Sequence, residues 1–186
     1  MTPRPSVLST ADARRTTVIS AALSEFALTG YLGTTVASIA QRADISPAYV
    51  FKLFPGKEPL FVAALEECFE QIVEALEGGA ASADEQTPAG VLDAMGAAYA
   101  HLIADRRLLM LQVHAQSAAE VPEIGAALRR GLAKITLFAK TRSGASDDDV
   151  QRFIAFGQLC HLIVTTGIED DGSAWAAILN RGIRHP

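Results

Sequence analysis

The run SPAYVFKL, Ser46 to Leu53, holds the residues best suited to read a nucleic acid. Ser46 is an N-cap and Pro47 a first helical residue, so Ala48, Tyr49 and Lys52 fall on the outer side of a short helix. A Lys ammonium there reaches a phosphate or a guanine edge. A Tyr hydroxyl donates to a phosphate, or its ring packs on a thymine methyl. Ala permits close approach, or meets such a methyl itself. Small, aromatic and cationic side chains at a protruding helix end suit a DNA groove. Other positions suit phosphates. Thr35 and Ser46 are N-caps, and the free N–H groups of a helix start attract anions. Lys57 stands at a helix start, where the dipole disfavours a cation unless an anion is near. Arg14 and Arg15 could touch an adjacent phosphate or minor groove, or belong to a mobile arm without a fixed contact.

The elements that would position these residues are legible from their spacing. Val36, Ile39, Ala40 and Ala43 recur at helical spacing behind the Thr35 cap. Only Asp44 and Ile45 separate that helix from the Ser46 cap, so the two must cross sharply, as in a helix-turn-helix. Ile45 and Val50 occupy the two positions of a hydrophobic staple. A first helix, about Asp12 to Thr29, buries Ile19, Ala22, Leu23, Phe26 and Ala27 and is stopped by Gly30. Phe51 and Phe54 are expected in the core, tying the third helix to the first.

Composition narrows the function classes. The 186 residues are 49% hydrophobic and 20% charged, which suits a soluble globular protein with a sizeable core. No apolar run approaches ~18 residues, so no membrane span is expected. The first fifteen residues lack the apolar centre of a secretory signal and read as a disordered arm. Cys68 and Cys160 each sit in an apolar helical pattern and read as buried reduced thiols, so the cytoplasm is the expected compartment. The net charge of −5 is unevenly spread. Residues 1–60 carry six Lys or Arg against four Asp or Glu, a balance of +2, which leaves −7 for the remainder. An acidic body repels phosphate and leaves the N-terminal unit as the DNA face.

Beyond Pro55-Gly56, only helices are expected. A long fourth helix runs from about Lys57 to Leu76, followed by a loop, Glu77 to Gln86. Thr87-Pro88 starts a fifth helix, to about Ala104. A sixth spans Leu108 to Ala118, and Pro122 opens a seventh, to about Lys140. Ser146 caps an eighth, ending near Thr166, and Ser173 a ninth. Met95, Tyr99, Leu102, Met110 and His114 are the candidate lining of a small-molecule pocket, with Tyr99 and His114 as its polar anchors; His101, Gln112 and Gln116 belong to the same pool. The eighth helix is apolar on most of its circumference and needs covering on both sides. Phe153, Phe156, Cys160 and Ile163, with Trp175 and Leu179 of the ninth, are therefore the candidate isologous dimer interface. The four His show no metal-ligand spacing, and no catalytic or cofactor motif stands out, so neither an enzyme nor a cofactor is expected.

The run from Ala13 to Leu65 resembles the DNA-binding domain of the TetR family. The likeness lies in Ala-Ala-x-x-x-Phe ending in Gly30-Tyr31, in Thr34-Thr35-Val36, Ile39-Ala40, Phe51, Phe54, Lys57-Glu58 and Leu60. Asp44 stands where the family often has Gly, and Asp tolerates the left-handed backbone such a turn requires. Phe51 stands where the family often has a Tyr whose hydroxyl reaches a phosphate; Tyr49 is the candidate substitute. The resemblance implies an all-α protein of about nine helices: a helix-turn-helix domain over 1–56 and a ligand-binding and dimerisation domain over 57–186. It also implies a phosphate-contacting Lys57, a double-stranded DNA operator, a homodimer and a small-molecule effector. The expected function is a homodimeric repressor released from a pseudo-palindromic operator by its ligand. The alternatives are a helical small-molecule-binding protein or enzyme without DNA binding, and a ligandless or activating DNA-binding protein.

Overall fold

A computed structural model of the chain describes residues 10–183. Nine α-helices and one short 3-10 turn, with no strand, make up the described residues. The arm expected at the N-terminus falls largely outside them, and α1 (Thr10–Gly33) already begins ahead of Asp12. Its regular course breaks at Gly30, whose backbone takes φ 69°, ψ −176°, a conformation that favours glycine. Buried Thr34 braces the break, its hydroxyl donating to the Gly30 carbonyl at 2.8 Å.

The helices α2 (Val36–Arg42) and α3 (Pro47–Leu53) follow from their caps. The Thr35 hydroxyl accepts from the Ser38 N–H at 3.0 Å, and the Ser46 hydroxyl from the Tyr49 N–H at 3.2 Å. Between them Asp44 takes φ 52°, the only positive φ of a non-glycine residue among those described. The core of this unit is Val18, Ala22, Phe26, Ile39, Ala40, Val50, Phe54 and Leu60, closed by Phe61 of α4, edge-on to Phe26 at 4.7 Å.

The fourth helix, α4 (Lys57–Ala81), runs five residues past its expected end. Gly78 and Gly79 disfavour a helix locally, and packing overrides them. Gly79 lies so close to α5 (Pro88–Leu102) that a Cβ there would stand 2.7 Å from the Ala94 carbonyl oxygen. Only the stretch from Ser82 to Thr87 remains a loop. After it come α6 (Arg106–Ser117), α7 (Pro122–Ser143), α8 (Asp147–Thr166) and α9 (Ala174–Asn180). The sixth starts two residues early because Asp105 caps it, accepting from the Arg107 N–H at 3.1 Å. Ile183 falls beyond the ninth helix.

A second glycine sets the α4–α7 crossing. A Cβ on Gly131 would lie 2.0 Å from Cδ2 of the buried Phe69 ring. Alanine is the better helix former by up to ~1 kcal/mol, yet here it has no room. Gly131→Ala is therefore expected to lower stability by about 1–3 kcal/mol, as overpacking does. The urea midpoint measures it, and an unchanged or raised midpoint would contradict this account of the crossing.

Candidate functional site

On α3 the outward face consists of Ala48, Phe51 and Lys52, all exposed, with exposed Ser46 and Pro47 at its start. Lys52 is without a hydrogen bond or ion pair among the described residues. Tyr49 is half-buried rather than fully outward. The expectation for the aromatic pair is half corrected: Phe54 is 2% exposed, but Phe51 is 52% exposed. Val50 and Phe54, four residues apart, occupy the inward stripe, and position 51 lies a step around the helix from it. Phe51 therefore presents an apolar ring on the same face as Lys52.

Three cations are engaged within the fold. Arg15 donates to the Leu53 carbonyl at 3.0 Å and lies 4.1 Å over the Phe54 ring, clamping α1 to the end of α3. Arg42 pairs with Glu25 at 2.5 Å. Lys57 donates to the Thr34 carbonyl at 3.2 Å, with the Leu32 carbonyl at 3.5 Å, and lies 4.7 Å from the Tyr31 ring centre. A cation at the start of α4 is thus explained by carbonyls at the end of α1, without an anion. Arg14, on the first turns of α1, and Lys52 are exposed.

In the body, a cavity of about 330 Å³ lies among α4, α5, α6, α7 and α8. Ile72 and Leu76 of α4, Leu92 of α5, Ile135 of α7 and Phe153 of α8 give it apolar walls. Its deep polar groups are Tyr99 and Gln112. Gln112 is 3% exposed; its amide donates to the Leu108 carbonyl at 3.1 Å and approaches the Tyr99 oxygen at 3.4 Å. Tyr99 in turn lies 2.6 Å from Nε2 of buried His161. Burial pushes the Tyr99 phenol well above its ordinary range and the His161 imidazole down to about 4, so both are neutral at pH 7. The short hydrogen bond between the Tyr99 oxygen and His161 Nε2 therefore joins two neutral groups.

The expected lining needs correction here. Tyr99 lines the cavity, but Met95, Leu102, Met110 and His114 do not. Met95 is fully buried in the core. Leu102 faces a separate, open groove beside the α4–α5 loop. Met110 packs in the hydrophobic core. His114 presses against the α1 break, where a Cβ on Gly30 would stand 2.9 Å from its Nδ1. Sequence reasoning left out His161, sixty-two residues from Tyr99; its apolar helical surroundings gave no sign of a polar partner.

The sixth helix joins this cavity to the N-terminal unit. Gln112 faces the cavity, His114 abuts Gly30, and Arg107 donates to Ser24 of α1 at 2.9 Å. Asp105 holds Arg107 at 2.6 Å, and that hydrogen bond keeps its carboxyl below the usual range. On the outer side of α8 and α9, Phe156 (54%), Leu162 (49%), Trp175 (53%) and Ile178 (66%) are exposed. Cys160 and Ile163, placed on that face by the sequence, are instead buried inside the chain, and Phe153 lines the cavity. Leu179 is half-buried against Ile163 and Ile168. The side of α8 bearing Cys160 and Ile163 covers the chain's own core, which removes those two residues from any outer seam.

Residues 18–64, which enclose the whole helix-turn-helix and the start of α4, match the family described as bacterial regulatory proteins, tetR family. The helix-turn-helix domain is similar to that of the TetR family. No curated protein sequence matches the chain significantly. Solved structures share the fold along nearly the whole chain. A TetR-family member from Streptomyces coelicolor is 19% identical, with a TM-score of 0.67 over 92% of this chain and 98% of that one. The regulator FadR of Bacillus subtilis, in complex with stearoyl-CoA, is 18% identical, with a TM-score of 0.67 over 89% and 93%. The multidrug binding protein EbrR, in complex with imidazole, is 16% identical, with a TM-score of 0.67 over 93% and 96%. The body of this chain therefore shares the fold of these structures as well as its head. Among the described residues no helix is long and apolar enough to cross a membrane, and no cluster of His, Cys, Asp or Glu could hold a metal ion.

Proposed function

We propose that this protein is a homodimeric transcriptional repressor, released from a pseudo-palindromic operator when a small molecule occupies the α4–α8 cavity. Residues 1–56 form the DNA-binding unit and residues 57–186 the ligand-binding and dimerisation unit. The observation that carries the reading is mechanical. Two rigid helices run from cavity to head: α4 from Lys57 at the head to Ile72 and Leu76 in the wall, and α6 from Gln112 to the α1 contacts of Arg107 and His114. A ligand that displaces this wall would alter the separation of two heads held in a dimer. By linkage, the operator would weaken ligand binding by the same factor. The stearoyl-CoA and imidazole bound by the two relatives favour a ligand-binding body here. The acidic body suits a cytoplasmic protein.

The test is titration of the protein–operator complex with ligands found by thermal shift. Coupling of ~1–3 kcal/mol would change operator affinity about 5- to 150-fold. If every stabilising ligand leaves operator affinity unchanged, the regulatory reading fails.

At the head, Lys52→Ala is expected to weaken operator binding by about 1–3 kcal/mol and to relax sequence preference at one position if the ammonium reads a base. If it meets only phosphate, the loss is uniform across sequences and the salt slope falls by about one. Fluorescence anisotropy at several salt concentrations separates the two. Unchanged affinity in a folded variant would remove α3 from the groove.

A further inference from the structure

The cavity's polar and apolar groups are sorted by depth, and that sorting defines a ligand class. We propose that it takes an uncharged, mainly apolar ring compound bearing one hydrogen-bond acceptor, with the rings against Ile72, Leu92 and Phe153 and the acceptor on the Gln112 amide. The proposal rests on the reading of this cavity as a ligand site and goes further by naming what fits.

Three observations support it. First, every charged residue of the lining, Asp93, Asp149 and Arg152, is exposed and so belongs to the rim. Arg152 is already paired with Asp149 at 3.1 Å, and the three together carry a net negative charge. An anion deep in the cavity would meet no cation, and a buried charge without a partner is strongly disfavoured. A cation would leave the acidic rim for a wall whose polar groups, Tyr99 and Gln112, are neutral.

Second, the deep polar wall has one group left partly used. Gln112 gives one N–H to the Leu108 carbonyl at 3.1 Å, a good hydrogen bond. Its other contact, to the Tyr99 oxygen, is 3.4 Å, at the weak limit of such bonds. The Tyr99 hydroxyl is committed to His161 at 2.6 Å. A ligand oxygen at ordinary hydrogen-bond distance from the Gln112 amide would improve on that long contact without breaking the Tyr99–His161 pair. Third, a cavity of about 330 Å³ is at the small end for ligand pockets, which suits a compact ring system better than a long chain with a large polar head.

A matched set of naphthalene compounds tests the class on the full-length protein by calorimetry: naphthalene, acetylnaphthalene, naphthoate and naphthylmethylammonium. The ketone is expected to bind roughly tenfold more tightly than naphthalene, the gain of one net hydrogen bond. Both ions are expected to bind more weakly than naphthalene. In Gln112→Met, of similar volume, the ketone should lose its advantage while naphthalene binding persists. Should that variant fail to fold, Gln112→Asn serves instead: it keeps the polar character but withdraws the amide by one methylene, and it is expected to shrink the ketone's advantage over naphthalene. The proposal is overturned if an ion binds more tightly than the ketone, if ketone and naphthalene bind alike, or if none of the four binds. Operator affinity measured with the bound ketone distinguishes the two levels. A ketone that binds as expected but leaves operator affinity unchanged upholds the ligand class and sinks the regulatory reading.

Discussion

Trp175→Glu is expected to turn the proposed dimer of two 19.7 kDa chains into a folded monomer. Its operator affinity should fall roughly 100-fold or more, because one head then binds without the effective concentration supplied by the other. The argument starts from exposure. Trp175, Ile178, Phe156 and Leu162 are each about half exposed or more, so they contribute little to the fold of a single chain. All four are apolar and exposed on α8 and α9, and exposed apolar surface of this kind marks an interaction surface. A Glu at the centre of a two-fold seam would be buried twice over, unpaired against its symmetry mate. Phe156→Glu should also dissociate the dimer, but Phe156 lines the cavity as well, so Trp175 gives the cleaner test. Ile163→Glu should behave differently. Ile163 is fully buried within the chain, so the charge destroys the fold and not merely the assembly. Sedimentation with circular dichroism separates these outcomes. A wild-type protein that is monomeric at micromolar concentration would remove the basis of the two-fold operator.

The second large effect is on stability at mildly acidic pH. Burial lowers the His161 pKa from 6.5 to about 4, so between those values the unfolded chain binds a proton that the folded chain refuses. Stability from the neutral imidazole is fully present above pH 6.5 and is lost as the pH falls through about 4. At 1.36 kcal/mol per unit of pKa, the loss across that window is about 3 kcal/mol. His161→Gln, which cannot be protonated there, should flatten the fall in stability between pH 6.5 and 4 relative to the wild type. Carboxylates titrate in the lower part of the window in both proteins, so the difference between the two denaturation curves isolates His161. Parallel curves would mean that His161 is not held neutral behind Tyr99.

The local signals of this chain reached far. Thr35, Ser46 and Pro47 set the starts of α2 and α3 through caps that need only four consecutive residues. Asp44 marked the turn, and its left-handed backbone is a property of one residue type. The 3.6-residue apolar period announced an all-helical chain. What the sequence left open depended on partners distant along it. Phe51 and Phe54 are both aromatic and three apart, and only the packing of α3 on α1 decides that one is buried and the other exposed. The sequence pointed to an anion beside Lys57, and the carbonyls that it meets in the fold come from the end of α1, more than twenty residues earlier. Gly78 and Gly79 promised a loop by propensity, whereas the close approach of α5 extended the helix through them. The polar wall of the cavity joins Tyr99, Gln112 and His161 from three helices. Spacing along a chain reports which face of a helix is apolar, because that face repeats within a few residues. It does not report what the face meets. Helix crossings set that, and they are fixed by side chains from several helices packing together at once.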